Sequence, residues 1–132
     1  MSKQDRAEMY RSYLAEEGFS PKFDSDGDVV FKYEGRSYVI IIDENDEEFF
    51  RLVFPNFWSI DTDEERDKVL MAANYSTAKT KVTKIFTVRD DTWAAIEMFY
   101  SPPEAFKIGF RRALSALQTG VNNFLEKVRR EE

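Results

Sequence analysis

The chain has 132 residues, enough for one domain with a substantial core, and 42% of them are hydrophobic, including 12 Phe, 6 Tyr and 2 Trp. It contains no cysteine and no histidine, which excludes disulfides, thiol nucleophiles, Cys/His zinc sites and any Ser–His or Cys–His pair. A net charge of −6 argues against nucleic acid and anionic membranes as partners, because both reward basic surfaces.

The opening stretch MSKQDRAEMYRSY is polar and carries no apolar signal core. The longest apolar run, Tyr38 to Ile42, is far short of the roughly 20 residues of a membrane span. No repeat, low-complexity tract or linker divides the sequence. The expectation is a soluble, cytoplasmic chain forming a single domain over 1–132.

Lys3 to Glu17 is predicted to be helical, with Ala7, Tyr10, Tyr13 and Leu14 on one stripe. Gly18 and Pro21 end it. Phe23 to Asp28 reads as a turn around Asp26-Gly27. Its carboxylates Asp24, Asp26 and Asp28 suggest a calcium loop. The pattern fails, because Val29 and Gly35 stand where an EF-hand requires Gly and Glu.

Val29 to Tyr33 alternates, Glu34-Gly35 turns the chain, and Arg36 to Ile42 returns. The returning strand places Tyr38, Ile40 and Ile42 on one face and Val39 and Ile41 on the other. Apolar groups on both faces fit a central strand, or one whose outer face meets a partner. Asp43 to Glu48 is an acidic loop. Phe49 to Trp58 reads as a third strand, with Phe50, Leu52 and Phe54 toward the core and Pro55 marking an edge or end. Phe57 and Trp58 beyond it either plug the core or meet a partner.

Thr62 and Glu65 form a capping box for a helix to about Thr77, with Val69, Leu70, Ala72 and Ala73 as its stripe. Lys81 to Val88 and Thr92 to Tyr100 form a second hairpin. Ser101 reads as the N-cap of a last helix, in a capping box with Glu104. This helix runs to about Arg130 on a stripe from Phe106 through Phe110, Leu117, Val121 and Phe124 to Val128. The predicted fold is α+β, a two-layer sandwich in the order α-β-β-β-α-β-β-α. Its sheet is largely antiparallel, with the helices packed on one face.

Several short motifs resemble the YbjN family of putative bacterial sensory transduction regulators, which has a type III secretion chaperone-like fold. They include Gly18-Phe19, Asp26-Gly-Asp28, Phe31-Lys-Tyr-Glu-Gly-Arg36, Ile42-Asp43 with Asp46, and Phe49-Phe50. Ala72-Ala-Asn74, Lys81-Val82, Lys84, Glu97-Met-Phe99 and Arg111-Arg-Ala-Leu114 extend the match over nearly the whole chain. The resemblance implies a non-enzymatic chaperone-like or regulatory adaptor, a homodimer that binds a protein partner. It implies no catalytic residue, cofactor or metal.

The residues themselves leave three functions open. A protein-binding module would use Val39, Ile41, Phe57 and Trp58. A small-ligand sensor would need a pocket between sheet and helices lined by Phe31, Phe54, Trp93 and Phe106. An enzyme would need a carboxylate, with Glu97 beside Lys84 or Tyr100 the one constellation that suggests itself.

Overall fold

The structure, a computed structural model, describes residues 1–130. In chain order it comprises α1 (Lys3–Glu16), β1 (Lys22–Phe23), β2 (Val29–Tyr33), β3 (Arg36–Ile40) and β4 (Phe49–Phe54). These are followed by α2 (Asp63–Lys79), β5 (Thr83–Val88), β6 (Asp91–Phe99), a 3-10 turn (Pro103–Ala105) and α3 (Phe106–Arg130). The strands form one sheet in the order β1-β2-β3-β4-β6-β5, antiparallel in each register that follows. This is the expected α+β class with one strand added. β1 has only two residues, Lys22 opposite Val30 and Phe23 opposite Val29, too short to show an alternation in sequence.

The fold gathers into two compact units. The first comprises Met1–Val53 and Glu97–Phe110. Ser2 caps α1 by accepting the Asp5 N–H at 3.0 Å, and the Asp5 carboxylate returns the contact. Glu34 and Gly35 both have positive φ, +51° and +79°, and close the two-residue turn between Tyr33 and Arg36. That turn suits the strand twist and fixes the register. Val29, Phe31, Tyr38, Ile40, Phe50 and Leu52 are consequently buried on one face. Tyr10 of α1 meets Phe50 and Phe106 edge-on at 5.9 and 4.8 Å, and Phe110 lies 5.9 Å from Phe31. Burying each such side chain contributes roughly 1.5–3 kcal/mol, with about 0.5–1.5 more for a well-placed ring pair.

The second unit comprises Phe54–Ile96 and α3 from Arg111 onward. Thr62 caps α2 through the Glu65 N–H at 3.0 Å, but the Glu65 carboxylate accepts from Asp61 N–H rather than from Thr62. Val69, Ala72, Ala73 and Ser76 are its buried positions, whereas Leu70 is half-exposed, one residue off the stripe. The β5–β6 hairpin buries Ile85, Ala94 and Ile96. Ala113, Leu117, Val121, Phe124 and Val128 of α3 are buried as the periodicity predicts.

Among the boundaries that differ from expectation, two involve prolines. β4 stops at Phe54, because Pro55 follows and cannot donate to a ladder. Ser101 is not a helix cap. Pro102 stands at the N-cap of the turn that follows, and no side chain caps it. The chain enters α3 instead through the 3-10 turn, with the Ser101–Pro102 peptide cis.

Candidate functional site

In the first unit, helical segments pack on one sheet face only, the face of Phe31, Phe50 and Leu52. Strand alternation sends the intervening residues to the other side. Val30 stands opposite Val39, and Val39 opposite Val53. One row further, Ile41 donates its N–H to the Arg51 carbonyl at 3.0 Å, and the Arg51 guanidinium pairs with Glu97 at 2.8 Å. At the end of the face, Phe49 and Phe99 are in ring contact at 5.8 Å, and Phe99 is 73% exposed. Val30, Val39, Ile41, Arg51 and Glu97 are all partly exposed, while Val53 between them is buried. The result is an apolar strip crossing three strands and bordered by an ion pair.

The strip's outer edge is basic. Lys22 stands opposite Val30, and Lys32 follows two residues along the same face. Both are exposed and make no ion pair among the described residues. They flank a surface groove of about 490 Å³ whose lining includes Phe23, Asp24, Val30, Phe31 and Ser37. Beyond Lys22 the chain leaves the sheet, with Ser20 at a φ of +51°. β1 covers β2 only at Val29 and Val30, and in a two-residue hairpin the backbone groups of Lys32 point away from β3, so a short stretch of edge remains at β2. At β5, Thr77 of α2 accepts the Ile85 N–H at 2.9 Å. That contact takes one donor of the β5 edge, and the open face adds a surface that needs no strand addition.

Of the sequence-predicted partner residues, Val39 and Ile41 lie on this face. Phe57 and Trp58 belong to the second unit, where they pack edge-on against Phe124 at 5.3 and 6.1 Å. Both are half-buried there, so the four residues divide into two pairs with different surroundings.

The four pocket residues divide similarly. Phe31 and Phe106 fill the aromatic core of the first unit. Phe54 stacks on Phe57 at 5.2 Å in the second. Trp93, paired across the strands with Phe86, donates its indole N–H to Asn56 at 2.9 Å. Glu97 is engaged by Arg51 on the open face, and Tyr100 points to the opposite face, against Phe50 at 5.6 Å. Burial holds the Tyr100 phenol above its ordinary pKa, which makes it a poor base at neutral pH. Lys84 sits over the Phe86 ring, in the second unit.

Asp24, Asp26 and Asp28 do converge, with one oxygen from each within 4.8 Å of the others. One oxygen each of Asp24 and Asp28 already has work in the turn. Asp24 Oδ1 accepts the Asp26 and Asp28 N–H groups, and Asp28 Oδ1 accepts from Ile42 at 2.9 Å with the Lys3 ammonium 3.7 Å away. The lysine supplies the cation, and the cluster is a turn-closing device.

Arg6 is the residue that the sequence reading missed. It is fully buried in α1 and donates to the carbonyl oxygens of Asp43 and Asp46 in the acidic loop. Its position four residues before Tyr10 put it on the buried stripe, and that spacing was the available signal.

No family model matches the chain, and no curated protein matches it. A solved structure does. The chain is similar to an uncharacterized protein from Methanothermobacter thermautotrophicus, with a TM-score of 0.67 and 13% identity, over 96% of this chain and 98% of the other. At that identity the likeness establishes a shared fold. No helix among the described residues is long and apolar enough to cross a membrane.

Proposed function

We propose that the chain is a non-enzymatic protein-binding module, a chaperone-like or regulatory adaptor of the bacterial cytoplasm, as its resemblance to the YbjN family implies. One observation carries the reading. In the first unit one sheet face is sealed by stacked rings, while the other leaves Val30, Val39 and Ile41 half-exposed in a continuous strip. An apolar strip with a polar rim is the usual anatomy of a docking surface.

The absence of native cysteine supplies a clean test. A Val39→Cys variant carrying one environment-sensitive fluorophore reports occupancy of this face directly. Its emission should shift on addition of the partner captured from cytosol and purified. Val39→Asp with Ile41→Asp should abolish capture while leaving the melting temperature close to wild type. Capture unaffected by that pair of substitutions would refute the reading.

A second copy of the chain also suits the face. Arg51 and Glu97 lie side by side, so a twofold axis between two such faces would let each arginine meet the partner's glutamate. Light scattering decides this reading: a dimer that becomes monomeric in Val39→Asp supports it, and a wild-type monomer rules it out.

A further inference from the structure

We infer that the partner segment carries carboxylates beside apolar side chains, and that Lys22 and Lys32 receive them at the groove on the outer edge of the open face. This inference rests on the protein-binding reading and adds the chemistry of what is bound.

The argument begins with charge. The chain has 25 acidic and 19 basic residues, so most of its surface repels an acidic partner. Three other cations of the first unit are engaged: Lys3 near Asp28, Arg11 with Glu8, and Arg51 with Glu97. Lys22 and Lys32 are exposed without an ion pair among the described residues, and they share a face on either side of Val30. Sheet spacing places their Cα atoms about 8 Å apart. Two flexible stems across that gap can grip one carboxylate together or two in succession.

The groove between them, about 490 Å³, admits a few side chains rather than a folded domain. Phe23, Val30 and Phe31 give it apolar lining, and Val30 continues across the strands into Val39 and Val53, so an apolar side chain next to the carboxylate has a place to go. Asp24 also lines the groove, and its carboxylate repels an acidic residue placed beside it.

The test uses fluorescein-labelled peptides of alternating Asp and Val, and of alternating Lys and Val, read by anisotropy on the full chain. The Asp-Val peptide should bind, and its affinity should fall as salt rises. Lys22→Glu with Lys32→Glu should weaken it at least ~10-fold, since two attractive contacts become repulsive. Both lysines are exposed, and circular dichroism confirms that the doubly substituted chain is folded. The Lys-Val peptide should not bind.

Equal binding of both peptides, or indifference to the charge reversal, overturns the inference. So does a single-stranded oligonucleotide that displaces the Asp-Val peptide at lower concentration, which would make the lysines a phosphate contact. If the peptide fails while Val39→Asp with Ile41→Asp still abolishes capture of a cellular protein, only the acidic chemistry is wrong. If both fail, the protein-binding reading falls with it.

Discussion

The Arg6 guanidinium donates to the Asp43 carbonyl across 37 positions of sequence, and to the Asp46 carbonyl at 3.1 Å, with none of its side chain reaching solvent. A buried charge in this position fastens α1 to the acidic loop and supplies positive potential beneath five carboxylates. Hydrogen bonds from a charged donor contribute about 1.5–3 kcal/mol each, so Arg6→Met should destabilise the fold by about 3 kcal/mol in urea denaturation. Arg6→Lys should recover less than half of that, because one ammonium cannot reproduce a two-pronged grip on separated carbonyls. Wild-type stability in Arg6→Met would show that the loop holds itself.

The two faces of β3 should respond differently to the same truncation. Ile40 is 1% exposed within the aromatic core, and Ile40→Ala should cost about 2–5 kcal/mol through lost burial and a residual cavity. Val39, its neighbour on the open face, should lose under about 1 kcal/mol as Val39→Ala. Chemical denaturation of the two variants checks this, and equal losses would mean that the outer face is as firmly packed as the inner.

This alternation was legible in the sequence because one face of β2–β3 is sealed and period two leaves no ambiguity of register. The Glu34-Gly35 turn, the Thr62 cap and the α3 stripe were legible for similar reasons, since each is local chemistry at fixed spacing. Three features were not. β1 owes its pairing to Val29 and Val30 rather than to any pattern of its own. Ser101 carried a cap composition, but the turn begins one residue later, with Pro102 at its N-cap. Arg6 looked like one more solvated charge, because its carbonyl acceptors lie in a loop whose path only the fold determines. The open face was half legible: Val39 and Ile41 signalled it, while Lys22 and Lys32 did not, since their shared side depends on the β1 pairing.

Gly120 marks a close approach in the second unit. Its carbonyl accepts the buried Ser76 hydroxyl at 2.6 Å, and a Cβ there would lie 2.6 Å from Thr83 Cγ2. Alanine normally gains about 1 kcal/mol over glycine inside a helix, but this contact is impossible without movement. Gly120→Ala should therefore destabilise by about 1–2 kcal/mol, overpacking outweighing propensity. Thr83→Ser removes the offending methyl. In that background the penalty should shrink or change sign, giving a coupling of about 1–2 kcal/mol in a double-mutant cycle. Additive effects would place the strain elsewhere.

The tyrosines should ionise in an order fixed by their surroundings. Tyr75 accepts a hydrogen bond from the Lys79 ammonium at 2.9 Å, which favours the phenolate and outweighs the opposing desolvation, with Arg130 adding to it, so its pKa lies below the ordinary value. Tyr10 is shifted upward by burial, which the nearby Arg6 charge only partly offsets. In a near-ultraviolet pH titration, Tyr75 should ionise before Tyr10, and Tyr75→Phe should remove an early step. Tyr10 has the larger consequence for stability. Its folded pKa is raised, so the unfolded chain gives up this proton first as pH increases. The contribution of neutral Tyr10 is complete below the unfolded phenol value of about 10 and is lost as pH rises through the higher folded value. Stability should therefore decline more steeply above about pH 10 in the wild type than in Tyr10→Phe, whose profile lacks that group. Parallel alkaline profiles for the two would mean that Tyr10 ionises in place, with Arg6 stabilising the phenolate.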